Sequence, residues 1–190
     1  MNVENKNPII FMVSGIANSG KDTTCELINN YVKLKNLKSV NLQFSYYIKM
    51  YAKELTSWDG NDETKPRTLL QQIGTDVIRK NIDDMFFVNR IIDDIKVYSF
   101  FCDVITISDT RFPIEIESVY NSFSNVVRIN IIRPDFENNL NSKERKHITE
   151  TALDGYNSYD YTLVNDGTIE DLNYKVINIV NEVLNNEKVN

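Results

Sequence analysis

The stretch Gly15-Ile16-Ala17-Asn18-Ser19-Gly20-Lys21 constrains this chain more than any other. It has a G-x-x-x-x-G-K skeleton between an apolar run over 8–14 and a segment with helical spacing. The apolar run suits a strand buried on both faces. In the segment 21–36, Cys25, Ile28, Val32 and the neighbouring Leu37 fall near one helical face. Strand, glycine loop and helix in that order make an anion cradle. Successive backbone N–H groups point into a concave nest, and the helix N-terminus adds roughly half a positive charge. Glycines permit the close approach. Lys21 adds a mobile point charge suited to β- and γ-phosphates. Gly15, Ala17, Asn18, Ser19, Gly20, Lys21, Asp22, Thr23 and Thr24 are therefore expected to hold the phosphates of a nucleotide. Where a Ser or Thr usually follows the lysine, this chain has Asp22. A carboxylate there is a hard-oxygen ligand for Mg²⁺, or simply an acid at a helix start.

The rest of the chain alternates strands and helices. Strands are expected at 40–44, 104–107, 126–132 and 161–164, and helices at 46–56, 66–81, 83–98, 113–120 and 169–186. That alternation predicts an α/β fold, a parallel sheet with helices on both faces. Residues 134–157 are polar and without clear periodicity, as a lid over a site would be. With 190 residues the chain reads as one domain. A net charge of −6 argues against a protein that coats a nucleic-acid polymer, since such binding needs many cations. Neither a signal-peptide core near the N-terminus nor an apolar run of membrane-span length is seen, so a cytoplasmic location is expected. Cys25 and Cys102 fit no metal or redox spacing and read as buried reduced thiols.

Four segments carry a family likeness: Ser19-Gly20-Lys21-Asp22-Thr23, Leu70-Gln71-Gln72-Ile73-Gly74-Thr75-Asp76, Asp109-Thr110-Arg111-Phe112-Pro113, and His147-Ile148-Thr149-Glu150 with Asn165-Asp166-Gly167. Together and in this order they resemble the deoxynucleoside monophosphate kinases of tailed phages and prophages. The resemblance implies a P-loop kinase fold with a five-stranded parallel sheet, ATP with Mg²⁺ as donor, and small-molecule nucleotides as partners. A homodimer is left open. It also implies an acceptor-binding helical region at about 45–98 and a lid at about 134–157. Longer members of the family have more chain between the positions of Lys53 and Arg67, and a Trp where Phe87 stands.

Candidate roles follow residue by residue. Arg67, Gln71, Thr75 and Arg79 recur every four residues as one ridge, with Leu69, Leu70, Ile73 and Val77 on the buried side. Such a ridge is either a solvated face or an acceptor site. Arg67 can grip a monophosphate with two hydrogen bonds, and Gln71 can both donate to and accept from a base edge. Gly74 costs a helix about 1 kcal/mol and suggests a close approach. Lys49 is a further acceptor candidate or a surface lysine, Trp58 either stacks on a base or closes a core edge, and Asp76 is another acceptor candidate. Asp109 ends an apolar strand and resembles the second acid that orders Mg²⁺ in such enzymes, alongside Asp22. Arg111 either faces the transferring group or pairs with Asp109 or Glu115. Arg133, Arg145, Lys146 and His147 are candidate lid cations or a solvated charge run. Asn165 is expected to border the adenine. Two rival readings keep their place. One is the same chemistry on phosphomevalonate or dephospho-coenzyme A. The other is a nucleotide-binding switch, although an Asn-Lys-x-Asp guanine signature is missing.

Overall fold

The computed structural model describes residues 3–61, 63–134 and 147–187. Five strands, β1 (Ile9–Ser14), β2 (Ser39–Leu42), β3 (Val104–Thr110), β4 (Val126–Ile132) and β5 (Tyr161–Val164), form one parallel sheet. Their order is β2-β3-β1-β4-β5. All six residues of β1 are buried, as its unbroken apolar run requires of a central strand. Side chains alternate along it. Ile10 and Met12 join one core with Phe87, Ile91, Ile95, Ile105, Ile107 and Ile116. Ile9, Phe11 and Val13 join the other with Cys25, Ile28, Val32, Ile129, Ile131, Val176 and Val180.

The helices covering these faces are α1 (Lys21–Leu34), α2 (Ser45–Thr56), α3 (Arg67–Gln71), α4 (Phe86–Tyr98), α5 (Pro113–Ser122), the short α6 (Ile148–Thr151) and α7 (Ile169–Glu187). The first core lies under α2 to α5 and the second under α1 and α7. After β1 the chain builds β2 and β3 on one side, then crosses over to build β4 and β5 on the other. In open α/β sheets such a reversal opens a crevice at the carboxyl edge, where ligands bind. The turns after β1, β3, β4 and β5 carry Gly15, Arg111, Arg133 and Asn165 to that edge.

Two local departures from regular geometry shape the edge. Met12 pairs with Ile107 but Ser14 pairs with Thr110, so β3 takes one extra residue beside Asp109. Bulges of this kind re-aim side chains next to sites. The second departure follows α3, which passes without a break into a π-helical segment, Gln72–Arg79. There Ile73, Gly74, Thr75 and Ile78 are buried, whereas Val77 is 49% exposed. Val77 was expected on the buried side from α-helical spacing. The wider i→i+5 turn shifts the inward face, burying Thr75 in its place. Gly74 meets α2 so closely that a Cβ would lie 2.7 Å from Ile48 Cδ1.

Candidate active site

The glycine loop folds around its own lysine. Lys21 Nζ donates to the carbonyls of Gly15 and Ile16 at 2.8 and 2.7 Å. Gly15 and Gly20 have φ of +149° and +109°, which L side chains resist. At Gly15 a Cβ would sit 2.6 Å from the Ile131 carbonyl oxygen. Burial lowers the Lys21 pKa to about 8, and nearby Arg111 lowers it too, while Glu150, Asp22 and Asp109 pull it back up. The Ser19 and Thr24 hydroxyls of this loop are buried without a hydrogen-bond partner among the described residues. Unsatisfied donors around a buried cation are what a cradle for phosphate oxygens requires.

The loop opens on two sides. On one side, a cleft of about 480 Å³ joins Lys21 and Asp22 to Lys49, Arg67, Gln71, Thr75, Arg79, Asp109 and Arg111. On the other, a space of about 440 Å³ is lined by Gly20, Thr23, Arg133, Asn165, Gly167 and Leu172. Asn165 Nδ2 donates to the Ser19 carbonyl at 2.9 Å, tying the turn after β5 to the loop. Arg133 Nη1 donates to the Asn18 carbonyl at 3.2 Å.

Several candidates are already engaged by the protein. Asp109 accepts from the backbone N–H groups of Phe44 and Ser45 at 2.8 and 2.9 Å, one to each oxygen. A carboxylate on these donors complements the positive end of α2. That fixes the start of α2 and with it Lys49, whose ammonium donates to Gln43 at 2.9 Å. Among the described residues Asp22 makes only a long 3.4 Å contact, from Gln43 Nε2. Asp22 is thus the acid better placed to take a cation. No cluster of three or more metal-ligating side chains is present among the described residues. A Mg²⁺ ion carried by phosphates needs only one or two protein carboxylates, so this donor set fits one.

Arg79 pairs with Glu115 at 2.6 Å and lies 4.3 Å from the Phe112 ring and 5.3 Å from the Phe87 ring. Glu115, only 1% exposed, also accepts from the N–H groups of Arg111 and Phe112 at 2.7 and 3.1 Å. Burial pushes its carboxyl pKa up, against the pull of Arg79 and these two amides. The Arg111 side chain pairs with neither Asp109 nor Glu115. Its Nη1 donates to Glu150 at 2.7 Å and to the Thr149 carbonyl at 3.3 Å. The other Glu150 oxygen accepts from the Ala17 N–H at 3.0 Å.

Two acceptor candidates do not line the cleft. Trp58 packs at the edge of the first core, its N–H donates to the Asn61 carbonyl at 3.1 Å, and the Lys53 ammonium lies 5.8 Å from its ring. Asp76 is half exposed and pairs with Lys80 at 2.7 Å. In both cases a nearby cation or carbonyl satisfies the polar part locally. His147 caps α6, its Nδ1 accepting from Thr149 N–H at 3.3 Å. Arg145 and Lys146 lie outside the described residues. Glu115 and Glu150 were missed as site residues. Glu115 stands three residues after Phe112 and just past Pro113, which is the spacing of an acid reaching back over a helix start.

The sheet order, the glycine cradle and the two-sided cleft define a P-loop protein of the kinase type. Solved structures share this fold: the Mycobacterium tuberculosis APS kinase in complex with AMPPNP and APS superposes with a TM-score of 0.55 at 11% identity, covering 92% of this chain and 98% of that one.

 The dephospho-CoA kinase from Campylobacter jejuni superposes with a TM-score of 0.53 at 14% identity, covering 93% and 98% of the two chains. At such identities the likeness speaks for the fold alone. The sequence goes further. The chain belongs to the deoxynucleotide monophosphate kinase family, whose sequence model matches residues 34–176. It is 31% identical over 121 residues to the deoxynucleotide monophosphate kinase of Enterobacteria phage T4. That match covers 62% of this chain but only 46% of the phage protein.

Proposed function

We propose that this protein transfers the γ-phosphate of ATP to a deoxynucleoside 5′-monophosphate, giving the diphosphate. The observation that carries the reading is the 480 Å³ cleft, which joins the phosphate loop at Lys21 and Asp22 to Arg67, Gln71 and Arg111 in one continuous space. Donor phosphates on Gly15–Thr24 and an acceptor on the α3 side would therefore face each other. Family membership supports a nucleotide as the acceptor.

The nest amides and the Lys21 ammonium hold the donor's β- and γ-phosphates. Asn165, Gly167 and Leu172 border the side where its base lies. Arg67 takes the acceptor's phosphate, and Gln71 and Thr75 meet its base. Asp22 would hold Mg²⁺, with Asp109 ordering the surrounding backbone; the ion supplies charge neutralisation when bound. An acceptor phosphate oxygen attacks the γ-phosphorus in line, the bond to the β-phosphate oxygen breaks, and ADP leaves. The attacking oxygen is already anionic, so no side chain need take a proton. Lys21 and Arg111 offset charge on the transferring group, so catalysis consists of positioning and electrostatic stabilisation. Arg133, with Arg145 and Lys146, is placed in sequence to bring further cations from the lid.

Lys21→Met tests the reading. Transfer should fall by at least ~10³-fold, as expected when a main charge on the transferring group is lost. The thermal unfolding midpoint should stay near that of the wild type. Near-wild-type turnover would overturn the assignment.

A further inference from the structure

Arg111 and Lys21 are two cations lining the same cleft, and each makes the other costlier to keep there. Something must hold Arg111 in place against that repulsion. Neither acid nearest in sequence does so: both Asp109 oxygens are occupied by the start of α2, and Glu115 pairs with Arg79. The holder comes from α6, far along the chain. We propose that Glu150 is the positioning residue of this site, clamping the Arg111 guanidinium to the phosphate loop.

The geometry is specific. One Glu150 oxygen accepts from Arg111 Nη1 at 2.7 Å, and the other accepts from the Ala17 N–H at 3.0 Å. Glu150 thus joins the turn after β3 to the loop after β1 through a single carboxylate. The pair is largely shielded, with side chains 24% and 12% exposed, so water screens it less than a surface pair. Its orientation is set locally. His147 caps α6 through Thr149, and the Thr149 carbonyl adds a second acceptor for Arg111 at 3.3 Å. The Glu150 charge also opposes the mutual repulsion of Lys21 and Arg111. Arg111, Thr149 and Glu150 border both the large cleft and a smaller cavity of about 210 Å³ behind the loop, so the clamp forms the wall between them.

This proposal rests on the kinase reading, in which Arg111 faces the transferring group. Glu150 then acts on the reaction only through Arg111, and a double-mutant cycle exposes that dependence. Glu150→Gln should lower kcat by roughly 10- to 100-fold while changing the KM of either nucleotide by less than about threefold. In an Arg111→Ala background the same change should cost less than about twofold more. Glu150→Asp, which keeps the charge, should recover part of the loss. An unchanged kcat in Glu150→Gln, or losses that multiply in full in the double variant, would overturn the proposal.

A readout without turnover separates this from the parent reading. The Ala17 amide and Arg111 side-chain N–H resonances should both shift in Glu150→Gln. If neither moves, the clamp does not exist in solution. If both move yet the wild-type chain phosphorylates no nucleotide, the kinase reading falls and the clamp stands.

Discussion

Lys21 concentrates the chemistry of this chain in one side chain. It is buried, its ammonium is satisfied by two backbone carbonyls, and its pKa is lowered to about 8. Phosphate oxygens favour the charged form and so raise that pKa. Binding of ATP should therefore take up protons in the window between about 8 and the ordinary 10.5, and very little well below 8. Titration calorimetry at pH 9 in two buffers of different ionisation heat should show uptake approaching one proton, and almost none at pH 6.5. Equal uptake at both pH values would contradict the assignment to Lys21. The same shift affects folding. Between pH 8 and 10.5 the unfolded chain holds the Lys21 proton that the nucleotide-free fold has lost, so this group's contribution to stability rises with pH there. Glu115 makes a different prediction. It holds Arg79 and two backbone amides from a site 1% exposed. Glu115→Gln leaves Arg79 without its counter-charge and should destabilise the protein by about 3 kcal/mol, read from the urea midpoint.

At the scale of elements, the π-helical segment after α3 is where local pattern and structure part. Arg67, Gln71, Thr75 and Arg79, spaced by four, all line the cleft. The same spacing misjudged Val77, because an α-helical period cannot reveal an i→i+5 turn. Gly74 signalled a close approach, and the approach is that of Ile48 on α2. A branched side chain has no room there. Gly74→Val should cost about 1–3 kcal/mol by overpacking and push α2 away from the segment. A thermal midpoint unchanged from wild type would show that the contact yields freely. The five strands and the long helices were legible because buried strands next to helical spacing leave few alternatives. Glu150 was not assignable, because its partners Ala17 and Arg111 lie far away in sequence and meet only once the sheet is built. Trp58 left two readings open, a base stack or a core edge, and it packs at the edge of the first core with Lys53 and Asn61 as partners.

On the scale of the whole molecule, the sheet order brings four turns to one edge and so makes a two-sided site there. The phosphate loop alone would serve a switch as well as a kinase. What favours a kinase is a second polar cleft opening onto the same lysine. A switch has no need of an acceptor site there. The described helices include none long and apolar enough to cross a membrane. The proposed occupant of that cleft is a deoxynucleoside monophosphate. The most direct test is ADP release from ATP and Mg²⁺ with dGMP, dTMP, dCMP, dAMP and their ribose counterparts supplied one at a time. Strong stimulation by at least one deoxynucleotide is the predicted result, and it would name the base. No stimulation by any of the eight would contradict the acceptor assignment while leaving the phosphate loop in place.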